Sequence, residues 1–309
     1  MEHKRVNRVF AGIILLNIAV VFILYFLPEG TLDLDSIWIQ EVIIETTLLL
    51  PAILGLTIKR GEVSIGERIG LKRIKPVTIL LIVVYSILMI PIGSFANGVS
   101  MIFSENVVDA NIDWIIGNNV WVISLFYGVV GPFCEELVFR GIIYRGYRMD
   151  GGRRGALILS SLMFGLMHMN ANQAVYAFVL GLVLALIYEA TGSLWASFLC
   201  HFIFNLKTTI GIFWLNYTDE DYFANMAYSR DSVLNGLLLD FIIAMVAAVF
   251  LIAVLKKIAD LEDRKAEVGE ALERFDTDEK KPRLISVAWV ISSVLAVAWI
   301  VLDMIDQWS

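Results

Sequence analysis

The chain has 309 residues, is 58% hydrophobic and carries a formal net charge of −7. Soluble globular proteins are about 45–50% apolar, so this composition, with a mean hydropathy of +0.75, excludes an ordinary soluble domain and predicts a polytopic membrane protein. The acidic sum identifies no partner, no nucleic-acid partner is expected, and the two cysteines, Cys134 and Cys200, lie in apolar runs, which argues against a disulfide framework or a thiolate metal cluster.

A helix needs about 20 residues to cross roughly 30 Å of hydrocarbon. Such runs fall near 9–27, 37–58, 76–97, 115–144, 155–169, 173–190, 193–214, 235–255 and 284–302. Lys4, Arg5 and Arg8 before the first run resemble a signal peptide. No small-x-small cleavage site followed by a soluble domain appears, so a retained first span is expected. The run at 37–58 carries Glu41 and Glu45, which places its start toward the interface. The run at 155–169 is short for a span unless its neighbours bury it. The prediction is an all-α, polytopic membrane helix bundle of eight to nine transmembrane helices.

Basic residues test that count, because short cytoplasmic loops carry the excess of Lys and Arg. With the N-terminus inside, the inside segments 1–8, 59–75, 145–154 and 256–283 hold three, six, four and eight, and 191–192 holds none. Thus 21 of the 24 basic residues fall inside, and Arg230 alone falls outside, while Arg140 and Lys207 stay within spans. The outside loops carry acids such as Glu29, Asp33, Asp35, Glu105, Asp109, Asp113, Asp219, Glu220 and Asp221. A wrong span count would scramble the alternation. The expected topology is N-terminus in the cytosol and C-terminus outside, in the cell (plasma) membrane.

Between Lys256 and Lys281 the apolar Ile258, Leu261, Val268, Leu272 and Phe275 recur at helical spacing among dense charges, which reads as an amphipathic cytoplasmic helix over about 256–283. The organisation is then N-terminal spans over 1–114, a central core over 115–234, and C-terminal spans with that helix over 235–309.

Chemistry is concentrated in the core. Glu135, Glu136 and Arg140 interrupt an apolar run, and each such charge at mid-membrane costs about 2.5–3.5 kcal/mol on insertion scales. On a helix Glu136 and Arg140 are i,i+4 neighbours and neutralise each other. Glu135 points about 100° away, which leaves it for general-base work or, on the bland reading, for a packing ion pair. Phe164 and His168 are also four apart, after the small residues Ser160 and Ser161 that let membrane helices approach closely. His201 and Asn205 repeat the spacing, and both side chains can donate hydrogen bonds as an oxyanion hole requires. Asn205 can equally serve as interhelical glue. Measured from the expected cytosolic ends, Glu135, His168 and His201 lie roughly 15, 20 and 14 Å deep. Histidines placed only for packing have no reason to agree in depth. Cys134 and Cys200 precede site residues but turn away from them on a helix, so they read as packing residues. Lys207 reads as a snorkelling side chain, and the turn Asn170, Asn172, Gln173 as a simple turn near the site mouth.

Glu-Glu-x-x-x-Arg at 135–140, Phe-x-x-x-His at 164–168 and His-x-x-x-Asn at 201–205, in that order on successive spans, resemble the CPBP family of type II CAAX prenyl endopeptidases, bacteriocin-processing and Abi-type proteins. The resemblance covers about 120–210 and implies an intramembrane glutamate protease. By position, Glu135 with His168 would activate a water, His201 and Asn205 would stabilise the oxyanion, and Glu136, Arg140 and Phe164 would support them. The implied partners are the bilayer and a membrane-associated or prenylated peptide substrate. No cofactor is preferred. If zinc is involved, Glu135, His168 and His201 supply an open three-ligand site, which is why such proteins are often described as metalloproteases. The alternative is a non-hydrolytic transporter or bacteriocin-immunity protein with a buried Glu/His/Arg cluster. A proton relay strings titratable groups from face to face, whereas here the outer half offers only Lys207.

Overall fold

The structure is a computed structural model that describes residues 2–57, 65–219, 222–225, 230–272 and 284–308. The described residues are helical with connecting loops: α1 (Glu2–Phe26), α2 (Ile37–Thr57), α3 (Pro76–Ser100), α4 (Val120–Gly151), α5 (Arg153–Met167), α6 (Ala171–Thr191), α7 (Leu194–Thr218), α8 (Arg230–Leu261), α9 (Lys265–Leu272) and α10 (Val287–Trp308). Eight of these, all but α5 and α9, contain a stretch long and apolar enough to cross a membrane. Local chemistry sets several ends. Pro76 stands in the first turn of α3, where its missing N–H costs nothing, and Gly192 closes α6 in the left-handed conformation at φ 66°.

The short run at 155–169 becomes α5, whose 15 residues reach only about 22 Å. It is nevertheless a pass through the bundle. Arg140 bonds Gly181 O (3.1 Å), Arg145 bonds Tyr188 (2.9 Å) and Arg148 bonds Glu189 (2.7 Å), so α4 and α6 run parallel. The segment between them must carry the chain back. It does so buried on Ala156, Ser160, Ser161, Met163 and Phe164. Gly165 makes the close approach to α6 feasible, since a Cβ there would stand 2.5 Å from Ala174 O. Protein on several sides substitutes for the length that a lipid-facing helix would need.

Polar contacts sort the helix ends into two groups. At one end His3 pairs with Asp150 (2.7 Å), Asn7 donates to Leu284 O (2.9 Å) and Thr78 donates to Glu262 (2.6 Å). At the other, Asn172 donates to Asn97 (2.8 Å), Asn170 to Asp303 (2.9 Å) and the Glu105 amide to Gln307 (3.1 Å). The first group gathers the basic segments around residues 3–8, 145–154 and 256–265 at one end of the bundle. Both α1 and α10 therefore start at the basic end, so Glu2 and Trp308 lie at opposite ends of the bundle.

The segment at 256–283 departs from a single amphipathic helix. Residues 256–261 extend α8. A turn with Asp263 at φ 58° then breaks the helix, and α9 follows with Val268 and Ala271 buried against α5 and α6. Residues 273–283, Phe275 among them, lie outside the described residues.

Candidate active site

The helix that carries Glu135 and Glu136 is wound irregularly. Within α4, Ser124–Val130 and Leu137–Tyr144 are π-helical, with ordinary α-helix only at Gly131–Glu136 between them. Widened i→i+5 turns are rare and gather at functional sites. Here they flank both glutamates, and the Tyr127 carbonyl within the first of them accepts a hydrogen bond from Asn205 Nδ2 at 2.9 Å. That contact ties α7 to α4 one turn from the histidine.

Glu136 is fully buried and lies 2.9 Å from Arg140, itself 2% exposed. Removing either partner from such a site leaves a bare charge in a low dielectric, which costs about 3–5 kcal/mol. The guanidinium has two more neighbours. Its Nη2 donates to Gly181 O at 3.1 Å, and its carbon lies 4.5 Å over the Phe164 ring, a cation–π contact. Phe164 also meets the rings of His168 and His201 edge-on, at 5.2 and 5.9 Å. One phenylalanine thus spaces the arginine and both imidazoles.

His168 ends α5. Its Nδ1 lies 2.8 Å from Phe164 O. A carbonyl only accepts, so Nδ1 carries the proton, and in the neutral ring Nε2 bears the free lone pair. Nε2 stands 4.0 Å from Glu135, a separation a water can bridge. His201 lies between the two glutamates, with Nδ1 3.1 Å from Glu136 and Nε2 3.6 Å from Glu135. Glu136 therefore orients His201 as well as holding Arg140. Glu135, with its side chain 21% exposed, is the most open of these groups. Among the described residues it has no lysine or arginine in ion-pair contact, only the two imidazoles. The three motifs converge, as their matching depth predicts.

The α2 glutamates are turned into the bundle rather than toward its surroundings. Glu41 is 4% exposed, buried by protein one turn into α2. Glu45 packs against α4, its Oε1 3.7 Å from where a Cβ on Gly131 would stand and its Oε2 buried without a hydrogen-bond partner. Both carboxylates interact electrostatically with Glu135. The outer half of the site, for which the sequence predicts only Lys207, therefore holds these two carboxylates as well. The signal was legible: Glu41 and Glu45 are an i,i+4 pair in an apolar run, as costly as Glu135 itself.

Other sequence readings resolve simply. Cys134 and Cys200 are free and buried. Asn172 bonds Asn97 and Ser100 across to α3, and Asn170 caps α6 through Gln173 N at 3.2 Å. A zinc ion would need Glu135, His168 and His201 to converge on one point, yet among the described residues no three His, Cys, Asp or Glu side chains are spaced to hold a metal ion. The donor set as arranged does not fit one.

Residues 117–207 match the family model for type II CAAX prenyl endopeptidase Rce1-like proteins, a stretch that contains all three motifs. A curated Bacillus subtilis (strain 168) protein named "Putative membrane peptidase YdiL" is 28% identical over 82 residues, 26% of this chain and 34% of its own length. The Lactococcus lactis subsp. lactis (strain IL1403) protein named "UPF0177 protein YaiH" is 32% identical over 99 residues, 29% of this chain and 41% of its own length. The chain spans about a third to two-fifths of these relatives. No solved structure matches. Motifs, fold and family match agree on a multi-pass integral membrane protein whose core resembles the type II CAAX endopeptidases, a family of membrane proteases.

Proposed function

We propose that this protein is an intramembrane endopeptidase that cleaves membrane-associated substrates, C-terminal prenylated CAAX segments among them, with water activated by Glu135 and His168. One observation carries the reading. Of two adjacent glutamates, Glu136 is closed off by Arg140 at 2.9 Å, while Glu135 is partly open and faced by two imidazole nitrogens at 3.6 and 4.0 Å. A structural ion pair needs no such asymmetry, but a general base beside its support does.

In the reaction, a water held between Glu135 and His168 Nε2 gives a proton to Glu135 as its oxygen attacks the scissile carbonyl carbon. Negative charge develops on the carbonyl oxygen. His201, donating through Nδ1 to Glu136 and protonated on Nε2 as well, and the second amide hydrogen of Asn205, whose first is spent on Tyr127 O, are the donors for it. The tetrahedral intermediate then collapses, the C–N bond breaks, and the proton held by Glu135 passes to the leaving amine. No metal enters this scheme. By the positive-inside rule we assign the end of the bundle rich in Lys and Arg to the cytosol, with the N-terminus inside and the C-terminus outside, and we propose the plasma membrane as its location.

The test is hydrolysis of membrane-tethered peptides, prenylated and not, by the purified protein in liposomes. Wild type is expected to cleave, and Glu135→Gln to lose at least about 10²–10⁴ of the rate, the usual worth of a general base. A second reading, a proton-coupled transporter or immunity protein, draws on Glu41 and Glu45, which extend the titratable set into the outer half. It requires proton flux in the same liposomes without peptide cleavage.

A further inference from the structure

The turn that follows His168 is held from the far end of the chain. After His168, Met169 takes up the left-handed backbone at φ 51°, a conformation a methionine rarely adopts without being held there. Asn170 comes next and bonds in two directions. Its Oδ1 accepts from Gln173 N at 3.2 Å and caps α6. Its Nδ2 donates to Asp303 Oδ2 at 2.9 Å. Asp303 lies on α10, 133 residues away and outside the family-matched stretch 117–207. Gln307, one turn on, donates to the same Oδ2 at 3.0 Å and accepts from the Glu105 amide at 3.1 Å. The Asp303 carboxylate is thus fixed by two amides and anchored to the loop after α3.

Mechanically, this chain ends at the imidazole. The His168 ring is pinned on one side by Phe164 O, so its remaining freedom is that of the backbone turn 168–170. Any drift of Asn170 tilts the last turn of α5 and changes the 4.0 Å gap between Nε2 and Glu135. Misplacing a reacting group by about 1 Å can cost on the order of 10²-fold. An apolar helix end would leave Asn170 held to α6 by its cap alone, with nothing fixing that turn to α10.

We propose that Asp303 is a positioning residue that holds His168 against Glu135 through Asn170. This rests on the protease reading. The experiment uses the full-length protein in liposomes. Asp303→Ala is expected to lower kcat about tenfold, with KM within twofold and the melting temperature within a few degrees. Asp303→Asn keeps an accepting oxygen and is expected to retain most of the rate. Asn170→Asp sets two carboxylates face to face and is expected to lose kcat. The reciprocal Asn170→Asp/Asp303→Asn pair restores donor and acceptor and is expected to recover it. A readout independent of turnover is the ¹³C/¹⁵N ring signal of His168, assigned by His168→Gln and expected to shift in Asp303→Ala and to return in the reciprocal pair. An unshifted His168 signal, unchanged kcat in Asp303→Ala, or a reciprocal pair no better than Asn170→Asp overturns the proposal. If wild type cleaves nothing, the protease reading fails while the ring signal still decides the contact.

Discussion

Two carboxylates, Glu136 and Glu189, lie fully buried in this bundle, and their surroundings differ in kind. Glu189, at the basic end of α6, receives Arg148 at 2.7 Å and Arg153 and Arg264 at 3.1 Å each, and Arg264 also donates to its backbone carbonyl. Three cations from three segments saturate one acid and clamp α4, α5 and the turn before α9 onto α6. Around Glu136 there is one arginine and one imidazole, and beside it stands Glu135, which has imidazoles alone. The comparison separates two uses of a buried charge. Surplus arginine makes Glu189 a fastener, whereas at the second site the arginine supply stops one residue short of Glu135. The acid left without an arginine is the one facing two imidazole nitrogens.

This contrast can be broken at several points. After Glu135→Gln, the largest effect on rate is expected at His168, where His168→Gln should lower kcat about 10²–10³-fold with KM nearly unchanged, measured by peptide cleavage in liposomes. Losing one oxyanion donor costs about 10²–10³ in kcat in a known hydrolase, so Asn205→Ala is expected near the lower end, about 10², because His201 remains. Arg140→Leu leaves Glu136 bare and should destabilise the fold by about 3–5 kcal/mol, seen as a melting shift, with the folded fraction slow as well. The smallest effect is expected from chelators. Turnover should stay within twofold after exhaustive treatment, and a loss restored by zinc would replace the water-activating pair with a metal centre.

The sequence made the charged parts of this site legible and left the geometry that arranges them obscure. Glu136 and Arg140 declared their pairing by spacing, and Glu135, His168 and His201 declared a common depth, because an ionisable group in an apolar helix is too costly to be incidental. The basic residues likewise sorted the helix ends, as the contacts at His3, Asn7 and Thr78 bear out. The two π-helical segments have no sequence period of their own, so a pattern read at 3.6 residues per turn passes over them. Spacing pairs His201 with Asn205, four residues along its own helix, whereas its Nδ1 lies 3.1 Å from Glu136, 65 positions away. That Glu45 packs near Gly131 is not legible from α2, because its partner face on α4 is not local. Asn170 read as a turn, which it is, but its bond to Asp303 spans the core and the last two passes.

The most direct measurement sets Glu135→Gln beside Glu189→Gln, with turnover of a membrane-tethered peptide and thermal stability recorded on the same preparations. The expected result is a crossed pattern. Glu135→Gln should melt within about 2 °C of wild type with its turnover gone. Glu189→Gln should lose stability, since three arginines are left facing a neutral amide, yet cleave at the wild-type rate per folded molecule. Wild-type turnover in Glu135→Gln would contradict the assignment of chemistry to the glutamate that no arginine holds.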